Sequence, residues 1–149
     1  MTRSSALVWA VEQALHAPSV HNTQPWRWRI GADTVELHAD FTRHLPWTDP
    51  DRRDLVLSCG AAVHHLRVAL AFRNLAPTIQ RLPAATGESD NEALMAVVTI
   101  GAAPGDAEEA ALFPAITRRH TDRVSSATAP SPSTCSISSP TGRAERTRT

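Results

Sequence analysis

The chain has 149 residues, with 15 basic and 15 acidic side chains that leave no formal net charge. This length predicts one domain at most, and a hydrophobic content of 42% is enough for a core. Neutrality leaves no net field to attract nucleic acid or an anionic membrane. We see no leader pattern, no apolar run of 18 residues and, with only Cys59 and Cys135, no disulfide framework. We therefore expect a soluble, cytoplasmic protein that binds neither nucleic acid nor membrane.

The first predicted element is an amphipathic helix that begins at Ser5 as its N-cap and continues through His16. Its apolar stripe is expected to consist of residues at helical spacing, namely Leu7, Val8, Val11, Ala14 and Leu15.

A polar loop, residues 17–26, follows this helix. Pro18 is expected to end the helix, and the second proline of the loop to force Gln24 into an extended conformation. Ser19, Asn22 and Gln24 then offer donors and acceptors on a stiff backbone, which suits recognition of a heterocycle edge or a sugar hydroxyl. The alternative is a capped connection whose polar side chains satisfy their own backbone.

The next residues predict a β-hairpin with one buried face. Residues 26–30 alternate tryptophan with arginine, residues 31–33 are turn material, and apolar residues alternate again at Val35, Leu37 and Ala39. Alternating Trp and Arg would also suit base stacking with phosphate contacts. The period of two and the neutral chain favour the half-buried strand.

A long helix is predicted from residue 51 to about residue 74. Asp49 is its expected N-cap, Pro50 its first helical residue, and Asp51 lies in its first turn, favourably for the helix dipole. Residues 55–63 are apolar nearly all round and rich in small residues, so we expect this part to be buried on several sides.

Shorter elements complete the prediction. Strands are expected at residues 78–82 and 94–100, with a loop at 83–91 between them. A short helix is expected at 106–112, followed by a turn or helix over residues 114–119.

The character of the chain changes at Val124. Residues 124–149 contain twelve Ser or Thr and three Pro without any apolar period. Such a segment cannot offset its ordering entropy by burial, so we expect a disordered tail behind an ordered unit at 1–123.

The loop sequence Pro-Ser-x-x-Asn-x-Gln-Pro-Trp, at residues 18–26, resembles the flavin-proximal loop of the FMN-dependent nitroreductase family. Further segments are similar to one subgroup, the duplicated nitroreductase-like proteins of the Acg family: residues 37–40, 43–46, 51–53 and 113–123. The resemblance covers residues 7–123. It implies an α+β, partial nitroreductase-like fold with helices packed on a small antiparallel or mixed sheet.

The resemblance also implies FMN as the cofactor. Ser19, Asn22 and Gln24 would lie near the isoalloxazine ring and the ribityl chain. In the family this loop commonly reaches the flavin across a dimer interface, and in the duplicated subgroup the two halves would replace the two subunits.

A second flavin-binding element is implied at residues 119–123, which look like the family's Arg-x-Ser-x-Arg segment. Arg119 and Arg123 would meet the pyrimidine side and the phosphate, since a planar guanidinium can hold phosphate bidentately. Thr121 replaces the serine and keeps its hydroxyl. The alternative is an exposed cationic helix end that interacts favourably with the dipole.

Two functions follow from these features. The first is an FMN-dependent oxidoreductase that uses NAD(P)H for two-electron reduction of nitroaromatics or quinones. The second is a non-catalytic flavin-binding protein or inactive remnant, because the family's second half is replaced here by the polar tail. We then expect a truncated protein whose helix at 55–63 is uncovered on one face, and a homodimer or a partner chain that supplies the missing half.

Other chemistries find little support in the sequence. His64 and His65 are adjacent and face different sides of a helix, and no His or Cys spacing is typical of metal ligands, so we expect no metal. No nucleophile motif and no Gly-x-Gly-x-x-Gly occurs. No catalytic residue is predicted, because hydride transfer through a flavin needs no protein nucleophile.

Overall fold

The computed structural model describes residues 2–83 and 91–121. These residues form four α-helices and four β-strands: α1 (Arg3–Ala14), β1 (Trp26–Ile30), β2 (Thr34–Asp40), α2 (Arg53–Phe72), β3 (Pro77–Arg81), β4 (Glu92–Ile100), α3 (Ala107–Ala111) and α4 (Phe113–Arg118). Short 3-10 turns lie at Val20–Asn22 and Phe41–Arg43. The predicted tail at 124–149 and its boundary lie outside the described residues.

The strands form one antiparallel sheet in the order β1-β2-β4-β3. Trp26 pairs with Ala39 and Trp28 with Leu37, so the predicted hairpin is confirmed. A register shift lies between Leu37 and His38 where β2 meets β4. The predicted α+β class with an antiparallel sheet is confirmed.

The arginines of β1 are engaged within the sheet. Arg27 pairs with the buried Asp40, at 2.9 Å from Nε to Oδ2, and Arg29 pairs with Glu92. Trp26, the first residue of β1, is buried. The interpretation as a half-buried strand is therefore confirmed.

Helix α1 differs from its prediction at both ends. Thr2, not Ser5, is the N-cap, because its hydroxyl accepts the N–H of Ser5 while Ser5 Oγ donates to the carbonyl of Thr2. The helix ends at Ala14, before the predicted His16. Leu15 is 44% exposed, so the predicted stripe is too wide. Val8 is equally exposed, and the buried face consists of Ala6, Leu7, Ala10, Val11 and Ala14.

Helix α2 begins at Arg53, and Asp49-Pro50 do not form its N-cap and first residue. The chain first makes turns, and Arg52 takes a left-handed conformation with a φ of 59°. Asp49 still stabilises the helix end, because its carboxylate accepts the N–H groups of Asp54 at 3.0 Å and of Leu55 at 2.9 Å. Asp49, the predicted capping residue, therefore does bond to the start of the helix, but it does so from upstream of the N-cap position, which Arg52 occupies.

Two hydrophobic clusters lie along α2. One joins α1 and α2 to β2 and β4 around Leu7, Leu66 and Leu70. The other packs the first half of α2 on β1, β2 and β4 around Trp26, Leu37, Leu55 and Cys59. By length and composition α2 would qualify to cross a membrane, but 61% of its most apolar stretch is buried in the protein, as in a core helix.

One face of α2 stays uncovered by the described residues. Val56 is 42% exposed and Leu57 is 61% exposed. The expectation that residues 55–63 are buried on several sides agrees with the buried Leu55, Cys59 and Ala62, and the expected uncovered face is the one that Val56 and Leu57 occupy among the described residues.

Helices α3 and α4 follow β4, and α4 packs against the C-terminal end of α2. Asp106 caps α3 by accepting the N–H groups of Glu108 and Glu109. Phe113 at the start of α4 stacks on Phe72 at 4.1 Å between ring centroids. The predicted strands and short helices are confirmed to within a few residues, except that residues 84–90 of the predicted loop lie outside the described part of the chain.

Candidate functional site

The loop at 17–26 has a strained backbone. His21, Asn22 and Gln24 have φ angles of 47°, 58° and 48°, which non-glycine residues rarely adopt. The prediction of an extended Gln24 is wrong, because its N–H donates to Ser19 Oγ at 2.9 Å and its carbonyl accepts the N–H of Trp26 at 2.8 Å. Such conformations persist only where the surroundings impose them.

Helix α2 supplies part of that constraint. The N–H of Val20 donates to Ser58 Oγ at 3.0 Å, and the Ser58 hydroxyl donates to the carbonyl of Asp54 at 2.6 Å. The thiol of Cys59 contacts the carbonyl of Pro25 at 3.5 Å. Sequence reasoning missed Ser58, although a lone serine inside an apolar helix is a signal of a buried hydrogen bond.

The 3-10 turn at Phe41–Arg43, which follows the hairpin, supplies the rest. Arg43 Nη1 donates to the carbonyl of Gln24 at 3.2 Å, and its Nε lies 3.5 Å from the carboxylate of Asp40. Burial acts to raise the pKa of Asp40, but hydrogen bonds from Thr42 and Arg27 and the charge of Arg27 outweigh it, so the pKa lies below its usual value. Asp40 is therefore an ionised anchor for both arginines.

The side chains predicted to recognise a ligand differ in their availability. Ser19 Oγ serves the loop's own backbone, as the capped-connection alternative expects. The amide groups of Asn22, which is exposed, and Gln24, which is half-buried, form no hydrogen bond with the described residues. The loop thus presents, on a fixed backbone, two amides that no residue in the described part of the chain uses.

A cavity of about 300 Å³ lies between this loop and α2. Pro18, Ser19 and Val20 form one wall. The other wall consists of Asp54, Leu57, Ser58 and Ala61.

The second predicted element lies at the end of α4. Arg119 is exposed, and its Nη1 donates to Thr121 Oγ1 at 3.2 Å. Arg118 turns back to its own helix, where Nε donates to the carbonyl of Pro114 at 3.1 Å. Arg123 lies outside the described residues.

Arg119 lines a second cavity, of about 190 Å³, between α2 and α4. Its other lining residues are His64, His65, Val68, Leu112, Ala115 and Ile116. His64 is exposed and His65 is only 9% exposed, as expected for histidines on different sides of a helix.

His65 is the most perturbed histidine among the described residues. Burial, and then the charges of His64, Arg119 and His16, lower its pKa to about 4, so it is neutral at pH 7. Its buried Nδ1 has no hydrogen-bond partner within the described part of the chain. Sequence reasoning considered the two histidines only as metal ligands and did not predict that His65 is a buried, neutral imidazole.

The two cavities adjoin successive turns of α2. Ala61 lines the first and His65 the second, and residues four apart share one helical face about 5–6 Å apart. His16, which precedes the loop, also acts on His65. The fold therefore brings the loop residues and Arg119 to neighbouring positions along one helix.

A third cavity, of about 270 Å³, lies between α2 and strands β3 and β4. Its lining is mostly apolar and includes Val63, Ile79 and Met95. None of the sequence-predicted site residues borders it, so we do not assign it to the flavin.

No protein-family model matches the chain. A Mycobacterium tuberculosis protein named "putative NAD(P)H nitroreductase" is 45% identical over 112 residues, which are 74% of this chain and 31% of that protein. A second "putative NAD(P)H nitroreductase" of the same organism, Acg, is 41% identical over 83 residues, 56% of this chain and 25% of that protein. This chain is a relative of the Acg-type nitroreductase-like proteins. It spans about a third of the length of the curated relatives it matches.

Solved structures show the same fold. An NADH oxidase, named as putative, from Clostridium acetobutylicum superposes with a TM-score of 0.55 at 14% identity, over 66% of this chain and 76% of that one. A nitroreductase family protein from Clostridium novyi gives 0.50 at 14% identity, over 70% and 75%. The expected nitroreductase-like α+β fold is confirmed.

Proposed function

We propose that this Acg-type relative binds FMN along the face of α2 that joins the two cavities. The loop at 17–26 would hold the ring and ribityl portion, and Arg119 would hold the phosphate. The observation that carries this proposal is the position of the two cavities on successive turns of one helix, with Ser19 of the loop at one and Arg119 and His64 at the other. The names of the mycobacterial relatives support it.

The loop suits the polar edge of a flavin. Asn22 and Gln24 each carry a donor and an acceptor that no described residue uses, and Ser19 keeps its hydroxyl hydrogen available for donation. The strained backbone is held by α2 and Arg43, so the amides are oriented before a ligand arrives.

The α4 end suits a phosphate. Arg119 has a fork of donors of which one contacts Thr121, and His64 lies at the same cavity. Arg123 is proposed as a further contact on the basis of the resemblance.

We propose that the chemistry is NAD(P)H-dependent two-electron reduction of nitroaromatics or quinones. Bound FMN supplies the hydride acceptor and donor, so the chain's own residues need only bind and orient it. Cys59 offers no nucleophile, because burial raises the pKa of its thiol to about 12.

A second candidate is flavin binding without turnover. Asn22 and Arg119 are exposed, and within the described part of the chain nothing covers them or the Leu57 side chain. Hydride transfer benefits from exclusion of water, so an open site favours binding alone. A second copy of the chain, or a partner chain, packed on this face would close the site.

The test uses the purified full-length chain. We expect an FMN-like absorbance spectrum, and FMN affinity about tenfold lower in Arg119→Ala than in the matched control Arg118→Ala, because only Arg119 lines the cavity. NAD(P)H oxidation with a nitroaromatic then separates the candidates, since turnover supports the enzyme and binding without turnover supports the alternative. Absence of any FMN binding contradicts both.

A further inference from the structure

The cavity between α2 and strands β3 and β4 has no part in the proposed function. Its floor is buried and consists of Cys59, Val63 and Ala96. Val56 and Leu82 at its rim are 42% and 67% exposed, so the cavity opens to solvent above an apolar floor. Its volume of about 270 Å³ lies near the lower end of the range for small-molecule sites, roughly 300 Å³, and therefore suits a small ligand.

Gly60 keeps part of this cavity open. It lies in the interior of α2, where glycine is less favourable than alanine because it loses more backbone freedom on folding. Apart from its chain neighbours and the backbone of its own helix, a Cβ at this position would meet no described atom within 4 Å. Packing among the described residues therefore does not require a glycine here, and the missing side chain leaves space in the cavity that Gly60 lines.

Two arginines line the cavity from opposite walls. Arg81 of β3 pairs with Ala96 of β4, and residues directly opposite in an antiparallel pair share one face of the sheet. Arg81 therefore lies on the same face as the buried Ala96, toward α2. Arg67 lies one turn beyond Val63 on α2. Among the described residues that line the cavity there is no Asp or Glu.

The two guanidinium groups differ in their availability. Arg67 Nη2 pairs with Glu109 on α3, which compensates its charge. Arg81 is exposed, and its side chain forms no hydrogen bond or ion pair with residues 2–83 and 91–121. A guanidinium that is free to bind a carboxylate, next to an apolar floor, fits a ligand with one anionic group and an apolar body.

We propose that this cavity binds a small carboxylic acid, with its carboxylate on Arg81 and its apolar body in the space beside Gly60. An aliphatic chain and a single aromatic ring share this chemistry. The site does not rest on the proposed function, because neither Arg81 nor Gly60 lines the two cavities assigned to the flavin.

Four variants test the site. Arg81→Gln removes the charge, and Arg53→Gln is its matched control, because Arg53 is also exposed and lines none of the three cavities described above. Gly60→Leu fills the cavity, whereas Gly60→Ala adds only a methyl group. Both added side chains begin in open space on a helix, so we expect these two variants to melt at or above the wild-type temperature.

Calorimetric titration of the full-length chain with octanoate, benzoate and octanol gives the readout. We expect wild type to bind at least one of the two carboxylates, and more tightly than octanol. Arg81→Gln should weaken carboxylate binding about fivefold, since exposure partly screens the charge, and leave octanol unaffected. Gly60→Leu should abolish binding of all three compounds, while Gly60→Ala and Arg53→Gln stay close to wild type.

Other results would overturn the site. Equal affinity for octanoate, benzoate and octanol, or equal carboxylate affinity in wild type and Arg81→Gln, would show that no carboxylate contacts Arg81. Undiminished carboxylate binding in Gly60→Leu would place the ligand outside this cavity. Absence of carboxylate binding would also overturn the proposal, and a lower mass of Gly60→Leu in gel filtration would then assign the cavity to a contact with a second copy of the chain.

Titration with FMN separates this site from the proposed function. We expect FMN affinity to be the same in wild type and in all four variants, so either proposal can fail while the other stands. Loss of FMN binding in the folded Gly60→Leu variant would assign the cavity to the flavin and overturn the carboxylate site.

Discussion

The backbone of the loop at 17–26 is strained at single residues, so tertiary contacts outweigh the local conformational preferences of those residues. His21, Asn22 and Gln24 all have positive φ, and each such conformation costs of the order of 1–3 kcal/mol. Hydrogen bonds from the N–H of Val20 to Ser58 and from Arg43 to the carbonyl of Gln24 offset this cost. The strain is consistent with a loop shaped for a ligand.

The variant Asn22→Gly tests the side-chain amide of Asn22 independently of the backbone strain at this position. Glycine accepts a positive φ without cost, so the backbone is retained while the amide is lost. We expect FMN affinity to fall about tenfold, the loss of about one hydrogen bond. His21→Gly is the matched control, because it relieves a similar φ without removing an amide. Identical FMN affinities in the two variants would show that Asn22 does not contact the flavin.

Asp40→Asn tests the charge that anchors the hairpin to the loop. The pKa of Asp40 is lowered in the folded state, so its ionised form stabilises the fold above the unfolded pKa of about 4. That contribution is lost as the pH falls through the lowered folded value.

We therefore expect Asp40→Asn to lower the free energy of unfolding at pH 7 by about 1–3 kcal/mol, with the gap narrowing below pH ~4. Denaturant titration at several pH values measures this gap. Asp33→Asn, which breaks an exposed pair with Arg3, should change little. A gap for Asp40→Asn that does not vary with pH would contradict the assignment.

Among the elements, α2 organises both the core and the site. Its buried side holds both hydrophobic clusters, and its cavity-lining residues run from Asp54 through Ser58 and Ala61 to His65. The start of this helix depends on Asp49, which bonds to two N–H groups of its first turn.

Asp49→Ala and Asp51→Ala compare the observed cap with its neighbour. Loss of Asp49 leaves the N–H groups of Asp54 and Leu55 without their carboxylate, so we expect the melting temperature to fall by several degrees. Asp51 makes only a 3.4 Å contact to the N–H of Arg53, and its removal should have a small effect. Circular dichroism melts decide between them, and equal losses would contradict the assignment of Asp49 as the cap.

At the scale of the whole molecule, the described residues leave an apolar strip exposed on α2, which consists of Val56 and Leu57. Leu57 is 61% exposed and borders the first cavity, so a surface that covers it would also close the site. Apolar side chains this exposed, next to a polar loop, are typical of an interaction surface.

Leu57→Gln tests whether this strip joins two copies of the chain. We expect the wild-type chain to elute from gel filtration at a mass above that of one chain, and Leu57→Gln to shift toward a single chain. Val8→Gln, at an exposed apolar position on α1, is the control and should leave the elution unchanged. A wild-type chain that elutes as a monomer at all concentrations would contradict self-association through Leu57.

Most elements that depend on neighbours in sequence were predicted, apart from the N-cap of α1, which is Thr2 and not Ser5, whereas contacts between distant residues were not predicted. The strand at Trp26–Ile30 follows from its period of two, and the cap of α3 by Asp106 lies within three residues of the groups it bonds. The helix start at Arg53 was mislocated, since the turn before it places Asp49 five and six residues from its partners.

The sequence by itself determined the helices, the hairpin and the polar residues of the loop, because periodicity and capping are local properties, and the order of its motifs carried the resemblance that implied the α+β class. Only the tertiary structure decided the sheet order, the bond from the N–H of Val20 to Ser58 Oγ and the burial of His65 near His16 and Arg119. These features join residues tens of positions apart, and the burial that lowers the pKa of His65 comes from packing that no stretch of sequence contains. The candidate site is thus a set of locally recognisable residues whose chemistry depends on the long helix that brings them together.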